Sequence, residues 1–179
     1  MNEITFFILL LIVGGLIGLV YATCYNAFQK YLIKINEVES KIDATLRERF
    51  DLLNNAAIYV KEKVGEEIMT ELSNLEATQL SSFDLERKLV SLTREFYNLK
   101  IVHRDLVKLD SFTNIDFTLK ENDAELDGYT SYYNDNISKF NSLVRMFPSN
   151  IIAKVSRFKE RTFYDGKNLN DKNTNDFKL

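Results

Sequence analysis

Residues 4–22 are apolar and carry no charge. At a rise of 1.5 Å per residue, a helical run of about 19 residues crosses a hydrocarbon core roughly 30 Å thick. A cleaved signal begins with basic residues, has a shorter apolar stretch and ends in a small-x-small site. Here Asn2 and Glu3 precede the run, and Tyr21-Ala22-Thr23-Cys24-Tyr25 closes it. The chain is therefore expected to keep residues 1–23 as a transmembrane anchor, so one partner is the lipid bilayer itself.

Orientation follows the lysines and arginines that flank the anchor. The N-terminal side has none, whereas Lys30, Lys34, Lys41, Arg47 and Arg49 follow it. This predicts a single-pass protein of the cell membrane, N-terminus outside and the remainder in the cytoplasm. Gly14 and Gly18 lie four apart, and such a pair lets two helices approach closely. They are candidates for a homodimer seam, although glycine is also simply common in membrane helices.

Beyond the anchor, glycine and proline almost vanish. Of six glycines, Gly14, Gly15 and Gly18 lie in the apolar run, and Pro148 is the one proline. Long helices with few turns are expected. A first stripe, Phe28, Leu32, Ile35, Ile42, Leu46, Phe50 and Leu53, has helical spacing with Val38 slightly off it. Asn54-Asn55 weakens a helix, yet the phase continues through Ala57, Val60, Val64, Ile68, Leu72 and Leu75. One long helix and two shorter ones both remain open for residues 24–76. Ser81-Ser82-Phe83-Asp84 supplies capping oxygens for the next helix. Its repeat reads Leu85, Leu89, Leu92, Phe96, Leu99, Val102, Leu106 and Leu109, with an end expected near residues 110–114. A last long helix is expected from about Asp116, with Leu119, Leu126, Tyr129, Tyr133, Ile137, Phe140, Val144 and Phe147 on its apolar face, ending at Pro148. No β period appears. Amphipathic helices joined by short loops predict an all-α, antiparallel up-and-down bundle over residues 24–164. Residues 165–179, rich in Asn, Asp and Lys, are expected to be a disordered polar tail.

Several residue groups resemble the LemA family of bacterial membrane proteins in order and spacing. They are Tyr25-Asn26, Ser40-Lys41-Ile42-Asp43, Arg47-Glu48-Arg49-Phe50-Asp51-Leu52, Tyr133-Asn134, Phe140-Asn141, Phe147-Pro148-Ser149-Asn150-Ile151-Ile152-Ala153, and Phe158-Lys159-Glu160-Arg161-Thr162-Phe163-Tyr164. After Asp51-Leu52 the family typically has a proline and then Asn-Leu-Val, whereas this chain has Asn54-Asn55-Ala56-Ala57. The resemblance implies one N-terminal anchor and a four-helix, LemA-like bundle. It brings no catalytic residues with it.

The search for chemistry finds no reactive constellation, so no catalytic residue, cofactor or metal site is expected. A net charge of −3 gives no electrostatic reason for a nucleic-acid partner. Cys24 cannot pair internally and reads as a small residue at the membrane boundary, without the small and Leu-like residues that a lipidation signal places before its cysteine. His103, preceded three residues earlier by Lys100, lacks the Glu-x-x-His spacing of a bundle di-metal site and reads as structural or superficial. Glu66, Glu67, Glu121, Asp123 and Glu125 read as a solvated face. Tyr129, Tyr132, Tyr133, Phe140 and Phe147 are expected in the core, with a ligand groove as the alternative. Lys154, Arg157, Lys159 and Arg161, beside Ile151, Ile152, Val155 and Phe158, form a basic amphipathic element. It lies on an anionic membrane surface, docks a partner or closes the end of the bundle. The function this predicts is a non-enzymatic scaffold or adaptor with an envelope protein as partner, with a membrane-tethered sensor as the alternative.

Overall fold

A computed structural model describes residues 2–65, 67–75 and 80–164. The chain is all-α: among the described residues there are four α-helices and no strand. They are α1 (Glu3–Val64), α2 (Ser82–Val102), α3 (Asp110–Arg145) and α4 (Ser149–Val155). Short 3-10 turns stand at Thr70–Asn74 and Leu106–Lys108. The expected polar tail, residues 165–179, lies outside the described residues.

Helix α1 settles the choice left open at Asn54-Asn55. It passes through both asparagines without a break and stops only at Gly65. Gly65 has φ +78°, and its N–H bonds the Lys61 carbonyl at 3.0 Å. A glycine in the left-handed region just past Lys61 and Lys63 is a common helix stop, because no Cβ resists that conformation. The in-phase residues Ile68, Leu72 and Leu75 are therefore not part of this helix. Ser81 caps α2 as expected, its hydroxyl accepting from the Asp84 N–H at 3.2 Å.

The end of α2 differs from expectation. The helix stops at Val102, seven residues before the repeat runs out, and His103 closes it with its N–H on the Leu99 carbonyl at 2.7 Å. Leu106 still reaches the core from a 3-10 turn, while Val102 is 72% exposed. A loop residue thus imitates the heptad. Helix α3 then begins at Asp110 rather than Asp116, so Phe112 is a helical core residue. Phe147, expected on the α3 apolar face, is 79% exposed.

The chain divides into two compact units, each containing part of α1 and part of α3. One unit comprises the chain up to Glu37 with Tyr133–Phe163. Its core is Phe28 and Ile35 of α1, Ile137 and Phe140 of α3, and Ile152 and Ala153 of α4. Phe158 packs on this cluster, 4.6 Å from Phe28 between ring centroids, and Phe28 meets Phe140 edge-on at 5.5 Å. Such aromatic contacts add modestly to the burial of the rings themselves. The N-terminal stretch of α1 packs against none of this. It is exposed throughout and is the one described helix long and apolar enough to cross a membrane.

The other unit comprises Val38–Tyr132 and resumes at Tyr164. Its core is mostly aliphatic: Val38, Ile42, Leu46, Leu53, Leu85, Leu89, Leu92, Leu119 and Leu126 are buried, joined by Phe96 stacked on Phe112 at 5.0 Å. Val38, slightly off the expected stripe, is buried, and Phe50 is half-buried.

Candidate functional site

In the first unit the corner between α3 and α4 carries the basic residues singled out from the sequence. Pro148 follows a cis peptide bond and breaks the helix, and Ser149 ties the break down. Its hydroxyl lies 2.7 Å from the Leu143 carbonyl and 2.8 Å from that of Met146, at the end of α3. Helix α4 is only two turns long and ends in a Schellman arrangement. The Phe158 N–H bonds the Ala153 carbonyl at 2.9 Å and the Arg157 N–H bonds that of Lys154 at 3.3 Å. The left-handed residue is Arg157, at φ +60°, where glycine is the usual occupant.

Beyond α4 the chain runs beside α1. The Ser156 hydroxyl lies 3.4 Å from that of Tyr21, Phe158 packs on Tyr25 and Phe28, and the Arg161 guanidinium reaches Asn36 at 3.5 Å. Asn141 holds the Arg161 backbone from both sides, accepting from its N–H and donating to its carbonyl at 2.8 Å each. Arg145 grips Glu160 through two bonds of 2.9 and 2.6 Å, and that hydrogen bonding lowers the Glu160 pKa. The basic quartet therefore divides. Lys154, Arg157 and Lys159 are exposed, and among the described residues none of them forms an ion pair. Arg161 is half-buried and its main chain is committed to Asn141.

In the second unit a polar cluster sits inside the leucine core. Arg49 is 4% exposed; its Nε donates to Asn122 Oδ1 at 2.8 Å and its Nη2 to Asp123. Asn122 in turn donates to the Thr45 carbonyl at 2.9 Å, and the Tyr97 hydroxyl donates to Asp123 at 3.1 Å. Burial and the adjoining Asp123 push the Tyr97 phenol up to about 12. Glu86, 5% exposed, is raised above the usual carboxylate range by burial; the Tyr164 hydroxyl and the Arg49 charge draw it back, and Asp127 adds to the rise. Nearby, burial opposes ionisation of Asp116, but Lys100 at 2.7 Å and Lys120 at 2.9 Å hold it low. Asp43 accepts from Arg47 at 2.8 and 3.0 Å and from Ser82 at 2.9 Å, and the Arg47 bond lowers its pKa.

The sequence reading missed this cluster, although a signal was present. Arg49 stands three after Leu46 and four before Leu53, Glu86 three before Leu89, and Asn122 three after Leu119. Each polar residue is in phase with its own apolar stripe, and a charge on such a stripe must find partners when the helices close.

The remaining candidates scatter. A side chain added at Gly14 or Gly18 would meet nothing within 4 Å, so that face of α1 is open. Cys24 is half-buried against the aromatic core. His103 caps α2. Glu121 and Glu125 join Glu48 around a shallow concavity of about 340 Å³, Asp123 belongs to the Arg49 cluster, Glu67 bonds Lys61 at 2.6 Å, and Glu66 lies outside the described residues. Among the described residues no three His, Cys, Asp or Glu side chains converge as metal ligands. The aromatic row does not make one lining: Phe140 is core, Tyr129 and Tyr133 are half-buried, and Tyr132 and Phe147 are exposed.

With that geometry in place, the sequence profile of the LemA family matches residues 38–177, well over half the chain. The chain belongs to the LemA family. No curated protein and no solved structure matches it significantly. The matched span begins at Val38, so the apolar stretch of α1 and Tyr25-Asn26 precede it. Within the span, residues of this LemA chain that prompted the resemblance do structural work: Asp43 with Arg47, Arg49 with Asn122, Asn141 with Arg161, and Ser149 at the end of α3.

Proposed function

We propose that this LemA-family chain is a single-pass membrane protein whose helical part serves as a non-enzymatic scaffold or adaptor on the cytoplasmic side of the cell envelope. The observation that supports this most is α1. Its residues 4–22 are charge-free and exposed, and the same helix continues without interruption into the Phe28 core. Apolar side chains left in water over that length are costly, and a bilayer removes the cost. In the second unit the buried Arg49 and Asn122 bond each other across helices, which suits a structural role. Lysines and arginines follow the anchor and none precedes it, which favours a cytoplasmic bundle.

Two measurements test the reading. Protease added to inverted membrane vesicles is expected to digest the helical part, and added to intact spheroplasts to spare it; the opposite pattern overturns the orientation. Crosslinking in intact cells at native abundance, read by mass spectrometry, is expected to recover a reproducible envelope protein. Repeated recovery of none speaks against the adaptor role.

A further inference from the structure

We propose that the corner between α3 and α4 is a second, reversible membrane contact: Phe147, Ile151 and Val155 enter the interface of the bilayer that α1 spans, and Lys154 and Arg157 bind its anionic headgroups. The inference rests on the anchoring proposed above and deepens it. Met146, Phe147, Ile151 and Val155 are 62, 79, 52 and 68% exposed, a dense apolar group on an element whose inner face is already used by Ile152 and Ala153. Ile151 and Val155 are four apart and share the outward face of α4. Their height is set by α1: Ser156 meets Tyr21, at the end of the apolar run and two turns before Phe28. The corner thus lies where the anchor leaves the hydrocarbon, the depth at which amphipathic elements with Phe or Leu and flanking lysines bind.

Charge fits the same occupant. Lys154, Arg157 and Lys159 are exposed, while the nearby acid Glu160 is spent on Arg145. Arg157 stands in the left-handed position that ends α4, a place glycine usually fills without a charge, and so adds an exposed cation at this corner. A cationic and apolar rim beside a membrane helix matches an anionic leaflet, to which each such charge adds on the order of fivefold in affinity.

The chain has no tryptophan, so single Trp reporters in the full-length protein read the contact directly. Leu10→Trp, Ile33→Trp and Phe147→Trp are placed separately in nanodiscs of phosphatidylcholine with or without phosphatidylglycerol, some of the lipid carrying bromine near the headgroup end of the chain. Quenching is expected at positions 10 and 147 and not at 33, with position 147 losing most of its quenching in pure phosphatidylcholine or at high salt. Arg157→Gly in the Phe147→Trp background is expected to reduce the docked-to-free ratio about fivefold while melting no earlier. Quenching at 10 but not at 147 overturns this inference and leaves the face for a protein partner. No quenching at 10 overturns the anchoring reading as well. Equal quenching at 147 in both lipids overturns the anionic specificity and with it the proposed role of Arg157.

Discussion

The two compact units spend their interiors differently. The first, up to Glu37 with Tyr133–Phe163, packs three phenylalanine rings, Phe28, Phe140 and Phe158, into a seam, and its buried Asn141 and Ser149 bond main-chain groups. The second, from Val38 to Tyr132, surrounds Arg49, Asn122 and Glu86 with leucines. Ring packing is forgiving in direction, whereas a buried guanidinium has five donors at fixed angles and accepts few arrangements of its neighbours. The comparison teaches that shape specifies one unit and hydrogen-bond geometry helps specify the other. A buried ionic cluster adds little net stability but makes the loss of any one member expensive.

Breaking the aromatic seam carries the largest expected effect. Phe28→Ala empties a fully buried site and should destabilise the first unit by about 3–5 kcal/mol, read as lost hydrogen-exchange protection at residues 133–145. Arg49→Leu fills much of the same volume but takes the donor from the buried Asn122 Oδ1, while Asp123, 42% exposed, stays solvated. A loss of about 1–3 kcal/mol is expected, read in urea denaturation and as lost protection in α2. If Arg49→Leu were instead neutral, the contrast between the units would collapse into two apolar cores.

Glu86 sharpens the comparison through pH. Burial raises its pKa in the folded state, so the folded chain binds this proton more tightly than the unfolded one. Stability from this group therefore falls as pH rises from the ordinary carboxylate value through the raised one, and the penalty is complete above it. Glu86→Gln lacks that ionisation. Its stability relative to the natural chain is expected to improve as pH rises above the ordinary carboxylate value and to level off above the raised one, in melting scans at fixed ionic strength. A flat difference would show that the surrounding groups already hold the charge without cost.

Smaller effects concern the helix ends. Ser81→Ala should cost about 1 kcal/mol by removing the α2 cap. Arg157→Gly should gain a few tenths to 1 kcal/mol by relieving the left-handed residue. A loss there would mean that the arginine side chain is held by its own unit.

Much of the fold was legible because periodicity and capping are local. The Ser81 cap, the α1 stripe and the break at Pro148 each follow from residues within a few positions. The misreadings at Leu106 and past Gly65 share one cause: periodicity reports which residues are buried, not which are helical. Leu106 is buried from a 3-10 turn, and the stripe past Gly65 keeps its phase while the backbone leaves the helix. Gly65 after two lysines was a readable stop. The Arg49 cluster was half readable. In-phase polar residues mark a need for partners, but Asn122 stands 73 positions away, and only packing selects it. At the α4 corner the basic and apolar residues were visible in sequence, whereas the separation of Arg161 from the other three depends on Asn141.

No glycine or proline interrupts α1 between Tyr21 and Glu37. A helix of fixed length changes its tilt when the surrounding bilayer thins or thickens. Once embedded as proposed, α1 would act as a stiff shaft. A change in lipid thickness would then arrive at the Phe28 ring as a sideways load, with no swivel in between to absorb it.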